Sequence, residues 1–209
     1  GEIFYPNELH RILIADAVTL IVPTKTEDLW PLPTASKIVA ADDLLTERNI
    51  ARPARLTVRS LDASFPAAPA DAPAGGGEVK IVDLSGAEVA LTVPQGARSL
   101  TYETVFYGRG RGIHSTTPFS GRLLKDVLLP HYPMTKESLQ RAVLTIAARD
   151  GYRVAATYAE IFNRNDQQEM LLVEDPAMAN GWRFRVFPAC DFFSDRSIRD
   201  ISEIRIELR

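Results

Sequence analysis

Cysteine is almost absent from this sequence, which has one in 209 residues, Cys190. A single thiol forms no intrachain disulfide, and it cannot build a zinc site from several thiolates. We interpret Cys190 as an inert, buried side chain, with a lone metal ligand as the alternative. The cysteine content leaves the redox compartment open.

Long apolar runs are also missing. The longest near the N-terminus, residues 11–23, contains Arg11 and Asp16 and is shorter than the roughly 18 uninterrupted apolar residues of a membrane-spanning helix. We therefore predict no membrane span. No signal peptide is visible, but the sequence begins with Gly1 rather than methionine, so a removed targeting segment and a periplasmic or cytoplasmic location stay open.

Neither sign of charge predominates: 24 lysines and arginines stand against 27 acidic residues, and the formal net charge is -3. No global positive field would attract a phosphate backbone, which argues against nucleic acid as a partner. Hydrophobic residues make up 45% of the chain and charged residues 24%, as in globular proteins. The length suits one sizeable core, or one domain with a substantial extension.

Strand patterns are the most frequent signal in the sequence. Polar and apolar residues alternate on both sides of Ser85-Gly86, which predicts a hairpin from Glu78 to Val93. Asp150-Gly151 predicts a second tight turn, with strands on either side of it. Residues 11–22 fit either two short strands or one buried helix. The other strands are predicted at 55–61, 104–107, 141–148, 152–158, 170–173, 182–187 and 201–208.

Helix signals are fewer. The pattern predicts short helices at 40–48 and at 122–129, the second ended by Pro130. Thr157 and Glu160 have the spacing of a capping box, so a third short helix should follow them. Mixed multi-stranded β-sheets with a few short helices place the chain in the α+β class.

Two segments are predicted to be irregular. Three prolines between 23 and 33 argue against a regular element there, and the proline-, alanine- and glycine-rich stretch at 64–77 predicts a surface loop, with an interdomain hinge as the alternative. We expect residues 1–54 to form an N-terminal extension packed on a main domain that spans 55–209.

Five segments of the second half follow one another in a familiar order. They are a glycine with a leucine-rich helix at 120–128, Ala-Arg-Asp-Gly-Tyr at 148–152, a strand before an acidic turn at 170–175, Arg-Phe-Arg-Val-Phe-Pro at 183–188 and the terminal strand at 201–208. Their order and spacing resemble the molybdopterin-binding domain of the sulfite oxidase family. The resemblance covers the chain roughly from Leu100 to its end, and the hairpin at 78–93 is compatible with the family's opening strands.

One feature of that family is missing. Its members carry a cysteine shortly before the glycine-leucine helix, and the thiolate binds molybdenum in a context that resembles residues 104–111 here. The best-matching position is Phe106 or Tyr107, and neither side chain can ligate the metal as a soft thiolate does. The resemblance therefore implies a degenerate member with no cofactor expected, and molybdopterin held by other contacts is the alternative.

Arginine and glycine are concentrated directly after that position. Arg109 and Arg111 alternate with glycines, and His114 follows closely. Glycines let backbone amides approach an anion, and guanidinium groups match phosphate or carboxylate oxygens. We predict an anion pocket lined by Arg109, Arg111 and His114, and the alternative is a solvated loop whose arginines pair with surface acids.

The other polar residues indicate no catalytic or metal site. Glu103, Asp150, Glu160 and Asp191 could supply a carboxylate pair for acid or base catalysis, but nothing in the sequence indicates that any two of them meet. Asp150 is better explained by its turn and Glu160 by the helix cap.

Three functional hypotheses follow. The sequence favours a noncatalytic binding or scaffold domain on a sulfite-oxidase-like fold, with a small anion as its ligand. The alternative is an oxidoreductase that keeps molybdopterin through phosphate contacts or through Cys190, so whether the chain is an enzyme stays open. A third hypothesis is a structural domain that binds a protein partner through exposed Phe192 and Phe193.

Overall fold

The chain divides into two compact units. The computed structural model describes residues 12–15, 37–40, 50–57, 78–108, 112–164, 167–191 and 194–208. By their internal contacts the two units are Gly1–Ala63 and Ser64–Arg209. The loop predicted at 64–77 and the irregular segment predicted between 23 and 33 lie outside the described residues. The expected extension of residues 1–54, packed on a domain of 55–209, stays a prediction.

The N-terminal unit contains a three-stranded antiparallel sheet in the order β1-β2-β3. Its strands are β1 Ile12–Ala15, β2 Lys37–Ala40 and β3 Ile50–Ala51. Of the two alternatives for residues 11–22, the described part is a strand. The helix predicted at 40–48 is wrong at Ala40, which ends β2, and its other residues lie outside the described part. The strand predicted at 55–61 is wrong at 55–57, which are irregular, and the rest of it is not described.

The larger unit contains two five-stranded sheets. The first sheet has the order β11-β10-β15-β4-β5 and the second sheet the order β14-β13-β12-β9-β6, while β7 and β8 pair as a separate hairpin. The strands are β4 Lys80–Val82, β5 Glu88–Ala90, β6 Ser99–Tyr102, β7 Phe106–Gly108, β8 Gly112–Ser115, β9 Phe119–Leu123, β10 Ala142–Ala148, β11 Arg153–Thr157, β12 Met170–Glu174, β13 Phe184–Pro188, β14 Ile198–Arg199 and β15 Ile201–Leu208.

Within the described residues, three short helices join these strands. They are α1 Leu124–Leu128, α2 Lys136–Arg141 and α3 Tyr158–Phe162, and a 3-10 turn covers Ser194–Arg196. Mixed sheets with a few short helices confirm the α+β class that the sequence predicts. The likeness to the sulfite oxidase domain stays a proposal.

Several local predictions are confirmed. Strands β4 and β5 form the hairpin predicted at 78–93, and the carboxylate of Asp83 accepts hydrogen bonds from the amides of Ser85 and Ala87 in its turn. The capping box is complete: the Thr157 hydroxyl accepts from the amide of Glu160, whose carboxylate accepts from the amide of Thr157. Interactions between near neighbours in sequence decide these features, so the pattern is sufficient to predict them.

Other local predictions are wrong. The strand predicted at 104–107 covers only the start of β7, because 103–105 separate β6 from β7. Strand β8, which begins at Gly112 and pairs with β7, was not among the predicted strands. The helix predicted at 122–129 starts two residues later, since Arg122 and Leu123 belong to β9. Helix α2 was not predicted, although the Thr135 hydroxyl caps it by accepting from the amide of Ser138.

One large hydrophobic cluster joins the two sheets and the helices. Strand β10 lies between β11 and β15, and every one of its residues is buried. The buried hydroxyl of Tyr132 lies 3.0 Å from the carbonyl oxygen of Val82 and 2.9 Å from that of Ile204, so it bridges the parallel strands β4 and β15. The hydroxyl of Tyr158 on α3 donates in turn to the carbonyl oxygen of Tyr132, which links α3 to these two strands through Tyr132.

Candidate functional site

The second sheet has two different faces. Side chains of one face, such as Leu172 and Val186, belong to the large cluster, whereas Leu123, Leu171 and Phe187 form a smaller cluster on the opposite face. Because side chains alternate along a strand, the sequence Phe-Arg-Val-Phe of β13 places Arg185 beside Phe187 on that opposite face. We call it the outer face of the second sheet.

Aromatic rings cover much of the outer face. Phe119 of β9 stacks on Phe187, with 4.0 Å between ring centroids and 7° between planes. Phe106 of β7 meets Phe119 edge to face at 5.3 Å, and the imidazole of His114 on β8 lies 5.7 Å from Phe106. The β7–β8 hairpin therefore attaches to the sheet through a row of ring contacts, in which Phe106 and Phe119 have the favourable edge-to-face geometry.

Arg185 lies over two of these rings. Its guanidinium carbon is 4.5 Å from the centroid of Phe106 and 5.0 Å from that of Phe119, both within the range of cation–π attraction. Its Nε donates a hydrogen bond of 2.9 Å to the Oγ of Ser197. The terminal nitrogens Nη1 and Nη2 bond to no described residue, and neither is fully enclosed. The Nε edge of the guanidinium is thus held by Ser197, whereas the edge with Nη1 and Nη2 makes no hydrogen bond to a described residue.

A second arginine lies next to it. Arg199 of β14 is the direct cross-strand partner of Arg185, so the two side chains share the outer face. Arg199 is exposed and makes no ion pair within the described part of the chain. Burial and the positive charge of Arg199 lower the pKa of Arg185 to about 10, which leaves it cationic at neutral pH. Two positive charges therefore lie side by side, and no described carboxylate neutralises them.

The site residues predicted from sequence are only partly placed. Arg109 and Arg111 lie outside the described residues. His114 is exposed on β8 and packs on Gly108, where an added Cβ would overlap the imidazole. Through their shared contact with Phe106, His114 and Arg185 belong to one cluster. Phe192 and Phe193, the predicted protein-binding residues, also lie outside the described residues.

Sequence reasoning missed Arg185 and Arg199 as site residues. One signal could have identified Arg185. It is a charged residue inside a strand, and the residues before and after it, Phe184 and Val186, are apolar and buried. Arg199 gave no comparable signal, because its position beside Arg185 depends on the register of β13 against β14.

The residues around Phe106 do not fit a molybdenum centre. Phe106 stands at one of the two positions where the resemblance would place a thiolate, and its ring packs against Phe119, His114 and Arg185. Ring carbons offer no donor to a metal. Next to it lies a cavity of about 10 Å³, room for roughly one water molecule, lined by Phe106, Phe187 and Ser197 among others.

Cys190 lies two residues after β13 and is half-buried. Its thiol is 3.4 Å from the Oδ1 of Asp191, and burial together with that carboxylate raises the pKa of Cys190 to about 12. The group is therefore a protonated thiol at neutral pH. Since metals bind the thiolate, Cys190 is a poor candidate for an alternative ligand.

Two of the carboxylates considered as an acid–base pair do come together. Asp191 and Glu160 both bind the guanidinium of Arg196, Asp191 through two bonds of 2.7 and 2.6 Å and Glu160 through one of 3.0 Å. Both carboxylates are ion-paired with Arg196, which argues against proton transfer between them. Asp150 accepts from the amide of Tyr152, as its turn predicts.

No group of three or more histidine, cysteine or acidic side chains is arranged for a metal ion within the described residues. In the same part of the chain, none of the helices has the length and apolar character that crossing a bilayer requires. No protein-family model matches this sequence, and no curated protein matches it significantly either.

Proposed function

We propose that this protein is a noncatalytic binding domain on a sulfite-oxidase-like fold and that its ligand is a small oxyanion, bound by Arg185 and Arg199. The observation that carries the proposal is the pairing of these two arginines on adjacent strands without a described carboxylate. Like charges placed directly opposite one another destabilise a sheet. A bound dianion would convert that repulsion into attraction.

The environment of Arg185 suits recognition of an oxyanion. The rings of Phe106 and Phe119 pack against the guanidinium, and the Oγ of Ser197 accepts a hydrogen bond from its Nε. The side-chain entropy that a flexible arginine loses on binding is therefore largely lost already. The two terminal nitrogens present the geometry that matches two oxygens of a phosphate, sulfate or carboxylate group.

The predicted residues Arg109, Arg111 and His114 extend the same proposal. His114 contacts Phe106, and the two arginines follow β7 in sequence. Arg109 and Arg111 lie outside the described residues and stay sequence-based candidates for binding the same anion. We assign no catalytic residue and no metal ligand.

Titration with inorganic phosphate and with sulfate, followed by two-dimensional NMR, tests the proposal. We expect saturable shifts of the Arg185 side-chain Nε–H signal, and a loss of affinity of about ten- to hundredfold in Arg185→Gln, because hydrogen bonds to charged groups are strong. Arg183→Gln is the matched control: Arg183 is on the same chain segment, but Glu174 already pairs with it at 3.3 Å. Absence of binding, or equal loss in the control, would overturn the proposal.

The rival function is a molybdopterin-dependent oxidoreductase. One observation favours it: an arginine pair beside aromatic rings could hold the phosphate of a pterin cofactor as readily as a free anion. Metal analysis of protein purified from its native source, with pterin fluorescence after denaturation, separates the two. Stoichiometric molybdenum would refute the noncatalytic proposal, and pterin without molybdenum would identify the oxyanion as a pterin phosphate.

A further inference from the structure

The connection between β13 and β14 carries a buried ion network. Arg196 has only 10% of its side chain exposed, and it binds Asp191 through both Nε and Nη2. Its remaining nitrogen, Nη1, donates to the carboxylate of Glu160 on α3 and to the carbonyl oxygen of Ala155 on β11. We call Arg196, Asp191 and Glu160 the Arg196 clamp.

The clamp joins three separate parts of the unit. Asp191 follows β13, Arg196 lies just before β14, and Glu160 belongs to the capping box of α3, beside the first sheet. The two hydrogen bonds between Asp191 and Arg196 join the beginning and the end of the β13–β14 connection. The bonds to Glu160 and Ala155 fasten that closed connection to the rest of the unit.

The clamp combines one cation, Arg196, with two carboxylates. Burial alone would lower the pKa of Arg196, but the carboxylates of Asp191 and Glu160 outweigh burial and raise that pKa above its usual value. Removing Arg196 would leave two partly buried carboxylates without their cation, which is strongly unfavourable. The clamp therefore depends on Arg196.

The residues directly after Arg196 contact or include the arginine pair. Ser197 follows Arg196, and its amide donates to the carbonyl oxygen of Ser194 in the 3-10 turn. The hydroxyl of Ser197 donates to the carbonyl oxygen of Val186, so its lone pairs face the Nε of Arg185. Strand β14 begins at the next residue and carries Arg199.

We propose that the Arg196 clamp is the positioning device of the oxyanion site: Arg196 and Asp191 fix the β13–β14 connection so that Ser197 orients Arg185 and β14 places Arg199 beside it. This inference rests on the proposed function and deepens it, because it names residues that act on the site without touching the ligand. A side chain that is already ordered loses less entropy on binding, and loss of that order weakens affinity.

The Nε–H signal of Arg185 is a readout that mere loss of stability would not move. In the wild-type protein its bond to Ser197 should give a sharp signal with slow solvent exchange, with or without ligand. In Arg196→Lys, which keeps the charge but not the planar double contact, we expect this signal to broaden or exchange quickly. The phosphate dissociation constant should rise about three- to tenfold.

Arg98→Lys is the matched control. Arg98 makes the same double contact with the carboxylate of Asp126, through bonds of 2.8 and 2.7 Å, at the β6 edge of the second sheet, opposite β14. This variant should leave both the Arg185 signal and the phosphate affinity unchanged. Should Arg196→Lys fail to fold, Asp191→Asn keeps the shape of the partner, and the same two measurements decide.

The outcomes separate this inference from the proposed function. A folded clamp variant with a wild-type Arg185 signal and wild-type affinity would overturn the positioning role. A wild-type protein that binds no phosphate or sulfate would overturn the proposed function. In that case the Arg185 signal of the clamp variants, measured without ligand, would still decide whether the clamp orders Arg185.

Discussion

Arg185 and Arg199 occupy directly paired positions on antiparallel strands, so two cations share one place on the outer face of the second sheet. Their mutual repulsion is a local cost in the ligand-free protein. Arg183, the residue directly before β13, pairs with the carboxylate of Glu174. The chain therefore can neutralise a cation in this region.

Relieving this repulsion should stabilise the free protein. We expect Arg199→Gln to raise the free energy of unfolding by roughly 0.2–1 kcal/mol at low ionic strength, because it removes one of two like charges. Salt screens exposed charges, so the gain should shrink in 1 M sodium chloride. Urea denaturation at both salt concentrations measures it, and a destabilised variant at low salt would contradict the repulsion.

Gly121 permits close contact between β9 and β12. An added Cβ would lie 2.6 Å from the carbonyl oxygen of Leu172, which is backbone and cannot rotate away. We expect Gly121→Ala to lower the free energy of unfolding by about 1–3 kcal/mol through overpacking. Gly96→Ala, at a position with open space, is the control and should change stability little. Equal stabilities of the two variants in thermal denaturation would refute the contact.

Asp126 should make stability depend on acid pH. The hydrogen bond from the Arg98 side chain lowers the pKa of Asp126, so the folded state binds its proton less readily than the unfolded chain does. The stabilisation is therefore present above the ordinary carboxyl pKa of about 4 and is lost as the pH falls below it. Asp126→Asn should unfold more readily than the wild type at pH 7, and the difference should disappear in denaturation curves recorded at progressively lower pH.

Cys190 should react slowly with thiol reagents while the protein is folded. Burial and the carboxylate of Asp191 raise the pKa of Cys190 to about 12, so very little thiolate exists at pH 8. We expect alkylation by iodoacetamide to be at least about a hundredfold slower than in urea-unfolded protein, where the thiol has its ordinary pKa of about 8.5. Mass spectrometry over time measures both rates, and similar rates would mean that the thiol is not enclosed by its neighbours.

The sequence predicted much of the fold where short-range interactions decide it. Strand β15 was predicted with its observed bounds, Ile201–Leu208, because polar and apolar residues alternate from Glu203 to its end. The capping box of Thr157 and Glu160 needs only residues three apart. Helix α2 was missed because its six residues carry few apolar side chains, and Ser138 is the buried one among them.

The candidate site was predicted less well. The sequence placed His114 in an anion pocket with Arg109 and Arg111, and that pocket stays a prediction, although the structure does bring His114 into contact with Phe106 within one hairpin. Arg185 and Arg199 were not recognised, because no pattern along the chain shows which strands will be neighbours. The register of β13 and β14 depends on the connection that Arg196 and Asp191 hold together.

The sequence by itself determined the α+β class, the single thiol and the absence of a sulfur donor at Phe106 and Tyr107, since these follow from residue identity and local periodicity. Only the tertiary structure decided that Arg185 lies across two rings beside Arg199, and that Arg196 joins Asp191 to Glu160. The physical reason is that charge and ring contacts form between side chains that strand pairing and packing bring together from distant parts of the chain.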